Sequence, residues 1–181
     1  MILLNQIRLL SEEFFSRYSN QSILLFEILT VAEDRRARWH FGIDPISIIR
    51  AFLVAMRTGR VSGVSTIEQQ LVRTLRPRSQ SPIRSKPLEL ALSACIGLCL
   101  SKRVIWSAYL YSAYYGSDWD TFDQVVSAVA VNSHKISPKE ACDIVAYLKY
   151  PKPEGEWPTW DDKHKNRSIY ILKLYGSCGR L

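Results

Sequence analysis

An acidic pair, Glu33-Asp34, closes the apolar run ILLFEILTVA and is followed at once by Arg35, Arg36 and Arg38, then by Trp39, His40, Gly42 and Asp44. One carboxylate is enough to mark where a helix leaves a core for water. A carboxylate at the edge of an apolar run and under three cations has the residue types for acid–base chemistry beside an anionic group. The neighbours pull in opposite directions. Ile28, Leu29, Val31 and Ala32 would raise the pKa of Glu33, and the arginines would lower it.

Further along stand Ser65, Thr66, Gln69, Gln70 and Arg73 in GVSTIEQQLVRTL, Lys86 and Glu89 in SKPLE, and Lys102 after a second apolar run. Taken singly, each has an ordinary explanation. An acidic pair often ends a helix in water, and paired glutamines are common polar surface. Glu89 behind Pro87 suits the positive end of a helix dipole. Lys102 suits a helix exit.

The formal net charge of +7, with arginines crowded into residues 35–84, favours an anionic partner. A chain of 181 residues fits one domain, and 47% hydrophobic with 23% charged residues reads as globular rather than disordered. The four cysteines show no disulfide framework and no zinc-ligand spacing, so buried thiols are expected, Cys95 and Cys99 among them. The opening MILLNQIRLLSEEFF meets Glu12 and Glu13 too early for a secretory signal. The longest apolar run, LALSACIGLCL, falls short of the roughly 20 residues that span a bilayer.

In order and spacing the polar groups resemble the motifs of the bacterial peptidoglycan glycosyltransferases, the transglycosylase module of class A penicillin-binding proteins and of monofunctional transglycosylases. EDRRARWHFG is similar to E-D-x-x-F-x-x-H-x-G, keeping Glu33, Asp34, His40 and Gly42, with Ala37 for Phe. GVSTIEQQLVRT resembles G-G-S-T-I-T-Q-Q-L-x-K-N through Gly63, Ser65, Thr66, Ile67, Gln69, Gln70 and Leu71, with Arg73 for Lys. SKPLE keeps Lys86 and Glu89 of R-K-x-x-E. KRVIWSAYLY keeps Lys102, Ile105, Tyr109 and Leu110 of K-x-x-I-L-E-x-Y-L-N. Downstream, YYG and SPKEACDIVAYLKYPKP are similar to the family's F-G and L-x-x-x-E-A-A-x-L-A-G-L-P-x-x-P, and the resemblance covers about residues 30–153.

The resemblance implies a mainly α fold: a lysozyme-like helical lobe with a smaller membrane-facing jaw, one domain over 1–181, the jaw at about 41–62. It implies polymerisation of a lipid-linked disaccharide-peptide (lipid II) into glycan strands with inversion. In that reading Glu33 is the general base and Glu89 the second catalytic glutamate. Asp34, His40, Ser65, Thr66, Gln69, Gln70, Arg73, Lys86 and Lys102 would bind substrate. No cofactor is required. A divalent cation, Mg or Mn, would have Glu89 as its ligand. The implied partners are lipid II, the growing strand, an anionic membrane surface and other cell-wall synthesis proteins, with no nucleic acid. The implied location is the outer face of the bacterial inner membrane.

Several positions depart from the family pattern: Val64 for Gly, Glu68 for Thr, Ser85 for Arg, Ser107 for Glu and Tyr111 for Asn. Glu68 would add negative charge close to where a diphosphate binds. These changes keep two alternatives open, a lipid II or glycan-binding module that does not polymerise, and a lysozyme-like glycan hydrolase.

The elements that must position these groups read as helices. One is expected over about 21–35. A second follows Asp44 as cap and Pro45 in the first turn, ends at Gly59, and carries a stripe of Ile48, Ile49, Phe52, Leu53 and Met56. A third starts after Ser65 or Thr66. A basic loop follows at 76–87, then a long helical stretch from Leu88 to about Tyr115 with a break near Ser101. Further helices are expected at 119–132, 138–149 and 161–176, and no segment alternates as a strand should. The second helix has the composition of an interfacial helix, with Arg50, Arg57 and Arg60 beside its stripe, and equally that of a core helix.

Overall fold

Ile7, Ser11, Phe14 and Tyr18 recur every three or four residues and form the inward stripe of the first helix, α1 (Ile2–Tyr18). The sequence reading assigned no element here, because charged residues break up the apolar pattern; Arg8, Glu12 and Arg17 all lie on the outer face. The computed structural model describes residues 1–59, 65–76, 82–131, 135–155 and 157–177. Arg60, Gly63, Val64 and Cys178 lie outside the described residues, as do the side chains of Arg84 and Ser85.

After a 3-10 turn at Ser19–Gln21 comes α2 (Ser22–Glu33), which buries Leu25, Phe26, Ile28 and Leu29 and ends on Glu33 itself. A second 3-10 turn, Ala37–Trp39, leads to α3 (Pro45–Thr58). The expected punctuation of α3 is present: the Asp44 side chain accepts from the Ile46 and Ser47 N–H groups, and Gly59 ends the helix at φ 65°. Thr66 caps α4 (Ile67–Leu75) by accepting from Gln69 N–H.

The next helix corrects an expectation: α5 (Pro82–Cys99) starts inside the segment read as loop and runs through Pro87. Pro82 stands at the first position, where the missing N–H has no intrahelical partner; Pro87, the sixth residue, instead removes one i→i−4 hydrogen bond from the helix. Ser101 separates α5 from α6 (Lys102–Ser112), as expected, by accepting from Val104 N–H. Three helices complete the fold: α7 (Phe122–Val129), α8 (Pro138–Ala146) and α9 (Pro158–Ser177). Among the described residues there is no strand, only one isolated bridge between Gly116 and Lys152.

The core lies where α1, α2, α6, α7 and α8 meet. Phe14 packs against Phe15, Tyr18, Phe26 and Phe122, and α9 closes one side through Ile171 and Tyr175. Each fully buried Leu, Ile or Phe contributes about 1.5–3 kcal/mol of transfer free energy. That packing holds the C-terminus of α2 rigid at the rim of the core.

One helix takes no part in it. Among its residues α3 buries none, and Ile49, Phe52 and Met56 are 59%, 63% and 66% exposed. The core-helix reading of this segment does not describe the fold. Among the described residues no helix is long and apolar enough to cross a membrane.

Candidate active site

Glu33 is the last residue of α2, so its side chain leaves the core at a fixed point. Its Oε1 accepts from Arg167 Nη2 of α9 at 3.0 Å, and its Oε2 accepts from Gln70 Nε2 of α4 at 3.2 Å. The Gln70 amide is itself oriented, because the Tyr109 hydroxyl donates to its Oε1 at 2.5 Å. Burial raises the Tyr109 pKa far above its ordinary value, so this hydroxyl keeps its proton and remains a donor. Arg167 Nη2 also donates to Ala32 O at 2.7 Å, one of the carbonyls that α2 leaves without an intrahelical partner.

Sequence reasoning missed Arg167. It lies beyond the last motif quoted above, in a helix whose polar face offers many charged residues of equal appearance. Only its contact with Glu33 marks it out.

Asp34 leaves the helix and turns inward. Its Oδ2 lies 2.9 Å from His40 Nε2 and accepts weakly from Ile67 N–H at 3.4 Å. Gly42 N–H donates to His40 Nδ1 at 3.2 Å, so the ring proton sits on Nε2 and points at Asp34. Both residues are buried and pin the 34–42 loop to the start of α4. The loop also needs its glycine: Gly42 has φ +88°, and a Cβ there would lie 2.0 Å from Ser93 O of α5. The Gly42 carbonyl accepts from Thr66 Oγ1 at 2.7 Å and from Gln69 Nε2 at 3.4 Å.

A second cluster gathers on Glu89, which is buried. Lys86 Nζ lies 2.6 Å from its Oε1, and Arg73 reaches both oxygens, Nη2 to Oε1 at 3.1 Å and Nε to Oε2 at 3.4 Å. Arg73 Nη2 donates to Ser65 Oγ as well, and Lys86 donates to Gln69 Oε1 at 3.2 Å. Burial pushes the Glu89 carboxyl up, but the hydrogen bonds from Arg73 and Lys86 more than offset it and hold the group below the usual carboxylate range. Two partly exposed cations over one buried anion leave net positive charge facing outward.

Two cavities meet at Glu33. One, of about 320 Å³, is lined by Asp34, Arg35, Arg36, Arg50 and Thr66 among others; the second, of about 530 Å³, by Gln70, Arg73, Tyr109 and Lys149. Their common wall is Ala32, Glu33, Ser65 and Arg167. Cations therefore stand on both sides of one carboxylate.

Lys102 and Glu68 have a different place from the one expected. Glu68 is fully buried and 2.5 Å from Lys102 Nζ, and neither lines the cavities. The negative charge of Glu68 is therefore turned inward and neutralised, not presented to a diphosphate. Leaving that carboxylate without its cation would cost about 3–5 kcal/mol. Ser107 is buried and donates to Ser11 Oγ, a packing role between α6 and α1. Cys95 and Cys99 are exposed, contrary to the expectation of buried thiols, because α5 turns them away from the core; Cys142 is buried.

The residues around Glu89 do not fit a divalent cation, since both carboxylate oxygens already face Arg73 and Lys86. Asp34, His40 and Glu68 do bring one ligand atom each within 4.8 Å of the others. There the nitrogen that would bind a metal carries the proton shared with Asp34, and one Glu68 oxygen is taken by Lys102. The remaining oxygen, Glu68 Oε2, is buried without a partner.

Comparison with known proteins bears on this arrangement. A family model described as Transglycosylase matches residues 4–175. Penicillin-binding protein 1B of Haemophilus influenzae is 37% identical over 161 residues, 86% of this chain and 20% of that protein. Penicillin-binding protein 1A of Aquifex aeolicus is 42% identical over 86 residues, 47% of this chain and 12% of that protein. Penicillin-binding protein 2a of Streptococcus pneumoniae is 30% identical over 132 residues, 72% of this chain and 18% of that protein. The chain spans a fifth or less of the length of these relatives.

Proposed function

This chain belongs to the transglycosylase family, and we propose that it is a peptidoglycan glycosyltransferase that joins lipid-linked disaccharide-peptide units into glycan strands. The observation that carries the reading is the position of Glu33 on the shared wall of two cation-lined cavities. A glycosyl transfer of this kind needs a base at the acceptor hydroxyl and positive charge at the leaving diphosphate. Glu33 supplies the first, and Arg73 with Lys86 supplies the second.

In the reaction, the 4-hydroxyl of the acceptor sugar attacks the anomeric carbon of the donor. Its proton passes to Glu33 as the new C–O bond forms. The bond from the anomeric carbon to the lipid pyrophosphate breaks, and the electron pair leaves on the diphosphate oxygen. Attack opposite the leaving group inverts the anomeric centre. Arg73 is suited to the developing charge, since its planar guanidinium can hold two phosphate oxygens at once. Glu89 acts from beneath, fixing Arg73 and Lys86, and Gln70 and Arg167 fix Glu33. Asp34, His40, Thr66 and Gln69 hold the loop and the start of α4 in register. At Glu89, Arg73 and Lys86 occupy the place that the resemblance gives to a Mg or Mn ion.

The exposed apolar stripe of α3 supports a place at a membrane surface. Arg50 and Arg57 flank the stripe, as in helices that lie in an anionic interface. Trp39 and Phe41, 81% and 66% exposed, extend the apolar surface. Placement at the outer face of the bacterial inner membrane, beside other cell-wall synthesis proteins, belongs to the same proposal.

Incubation with lipid-linked disaccharide-peptide, followed by sizing of the products, tests the function. Long strands support polymerisation. Cleaved monomer would replace the reading with a hydrolase, and bound but unchanged substrate with a binding module.

A further inference from the structure

Two tyrosines of α9 have opposite surroundings. Tyr175 is buried, and its hydroxyl donates to Glu27 Oε2 of α2 at 3.3 Å. Tyr170 is 49% exposed and lines the smaller of the two cavities that meet at Glu33. Arg167, Tyr170 and Leu174 stand at i, i+3 and i+7, a spacing that sets them on one helix face, and all three line that cavity. The Arg167 guanidinium carbon lies 5.8 Å from the centre of the Tyr170 ring, within reach of a cation–π contact. The ring is thereby held beside the side chain that holds Glu33.

The two cavities differ in charge. The larger sets one carboxylate, Glu33, among Arg73, Lys149 and Arg167. The smaller sets Asp34 and Asp44 among its arginines, and Arg36 is already paired with Asp44 at 3.1 Å. A leaving diphosphate therefore belongs with Arg73 in the larger cavity, and the hydroxyl that Glu33 deprotonates comes from the smaller one, where Tyr170 stands. At about 320 Å³ the smaller cavity has the size of a small-molecule site, about 300–1,000 Å³. A pyranose with equatorial hydroxyls gathers axial C–H bonds on its faces and hydroxyls around its rim. The negative face of an aromatic ring attracts such C–H groups, and Arg35 and Ser65 stand in the same cavity to meet the hydroxyls.

We propose that Tyr170 is a stacking contact for the acceptor sugar, its ring lying against the C–H face of the pyranose whose 4-hydroxyl meets Glu33. The proposal rests on the glycosyl-transfer reading of Glu33. A tyrosine ring turns on only two torsions, so it offers a broad surface at little cost in conformational entropy. No bond forms or breaks at Tyr170. Its ring binds and orients the sugar, and its hydroxyl is not required.

The test uses the disaccharide freed of its lipid, diphosphate and peptide, followed by saturation-transfer NMR on the parent, Tyr170→Ala and Tyr170→Phe. The strongest transfer in the parent should fall on the axial C–H protons of one sugar. Tyr170→Ala should lower the affinity on the order of tenfold, the scale of one ring contact, and Tyr170→Phe should keep it. Binding of a lipid diphosphate without sugar should be the same in all three proteins, which separates lost stacking from a lost fold. Absence of transfer in the parent overturns the proposal, and so does undiminished disaccharide binding in Tyr170→Ala. In turnover, Tyr170→Ala should raise KM with little change in kcat; a fall in kcat alone would make the ring a support for Arg167 and overturn the stacking role. Sizing of polymerisation products beside the binding experiment keeps the two readings apart. Ring-dependent disaccharide binding without strands would keep Tyr170 as a sugar contact and end the polymerase reading. Strands formed with binding indifferent to Tyr170 would do the reverse.

Discussion

Arg167 Nη2 lies 3.0 Å from Glu33 Oε1, although 134 positions separate the two residues in the chain. The last helix thereby completes a site whose other members come from α2, α4, α5 and α6. Arg167→Ala should leave the fold intact and slow turnover on the order of 10²-fold, the penalty of misplacing a reacting group by about 1 Å. The fall should appear in kcat rather than KM, and Arg167→Lys should recover part of it. An unchanged kcat in Arg167→Ala would remove Arg167 from the machinery.

Glu33→Gln tests the base itself. An amide fits the same space and can still face Gln70, but it cannot take the acceptor proton. The expected loss is about 10²–10⁴ in rate, with melting temperature and substrate affinity close to the parent. A folded variant that polymerises at the parental rate would assign the base elsewhere.

Arg73→Ala should weaken binding of a diphosphate-bearing lipid more than binding of its uncharged analogue. Charge-assisted contacts to phosphate are roughly twice as strong as neutral ones, and Arg73 lines the larger cavity with its guanidinium partly exposed. Arg57→Ala, on α3, serves as the control. Equal loss for both ligands would place the diphosphate away from Arg73.

Glu89 also gives a pH dependence with a definite sign. Its folded-state pKa lies below the ordinary value, since the hydrogen bonds from Arg73 and Lys86 outweigh burial. The unfolded chain therefore binds the proton first as acid is added. The contribution is complete above the unfolded carboxylate value of about 4.3 and is lost as pH falls through the lower folded value. Urea unfolding across that range should show a shallower acid decline for Glu89→Gln than for the parent. Superimposable declines would mean that another carboxylate carries the effect.

The membrane prediction turns on Phe52, which is 63% exposed on α3. The protein should sediment with vesicles of anionic lipid at low salt and less so at high salt, since screening at ordinary ionic strength acts within roughly 8–10 Å. Each arginine near the surface adds about 1 kcal/mol. Phe52→Asp should reduce sedimentation and leave the thermal melt unchanged. A parent that stays in the supernatant at low salt defeats the interfacial role of α3.

The sequence carried much of the helical framework, because its signals are local. Asp44, Pro45 and Gly59 bound α3 by satisfying or terminating backbone hydrogen bonds within one turn, and Thr66 and Ser101 do the same for α4 and α6. The start of α5 departs from the loop expected there: serine and proline are loop residues on average, yet Pro82 stands at the first helical position, where helix geometry accepts it, and the helix runs on through Pro87. The apolar stripe of α3 was legible, but whether a stripe meets a partner is a property of the rest of the chain.

By itself the sequence also determined which residue types could act, since Glu33, Arg73, Lys86 and Glu89 occur at spacings that match one family. What only the tertiary structure decided is which charges meet. Glu68 and Lys102 stand 34 apart and neutralise each other in the interior, so neither reaches the cavities. Arg167 reaches Glu33 because α9 packs against α2 and α8. Backbone hydrogen bonds in a helix join residues four apart and are written into local sequence. A salt bridge depends on how distant helices pack, and that depends on the shape of the whole core.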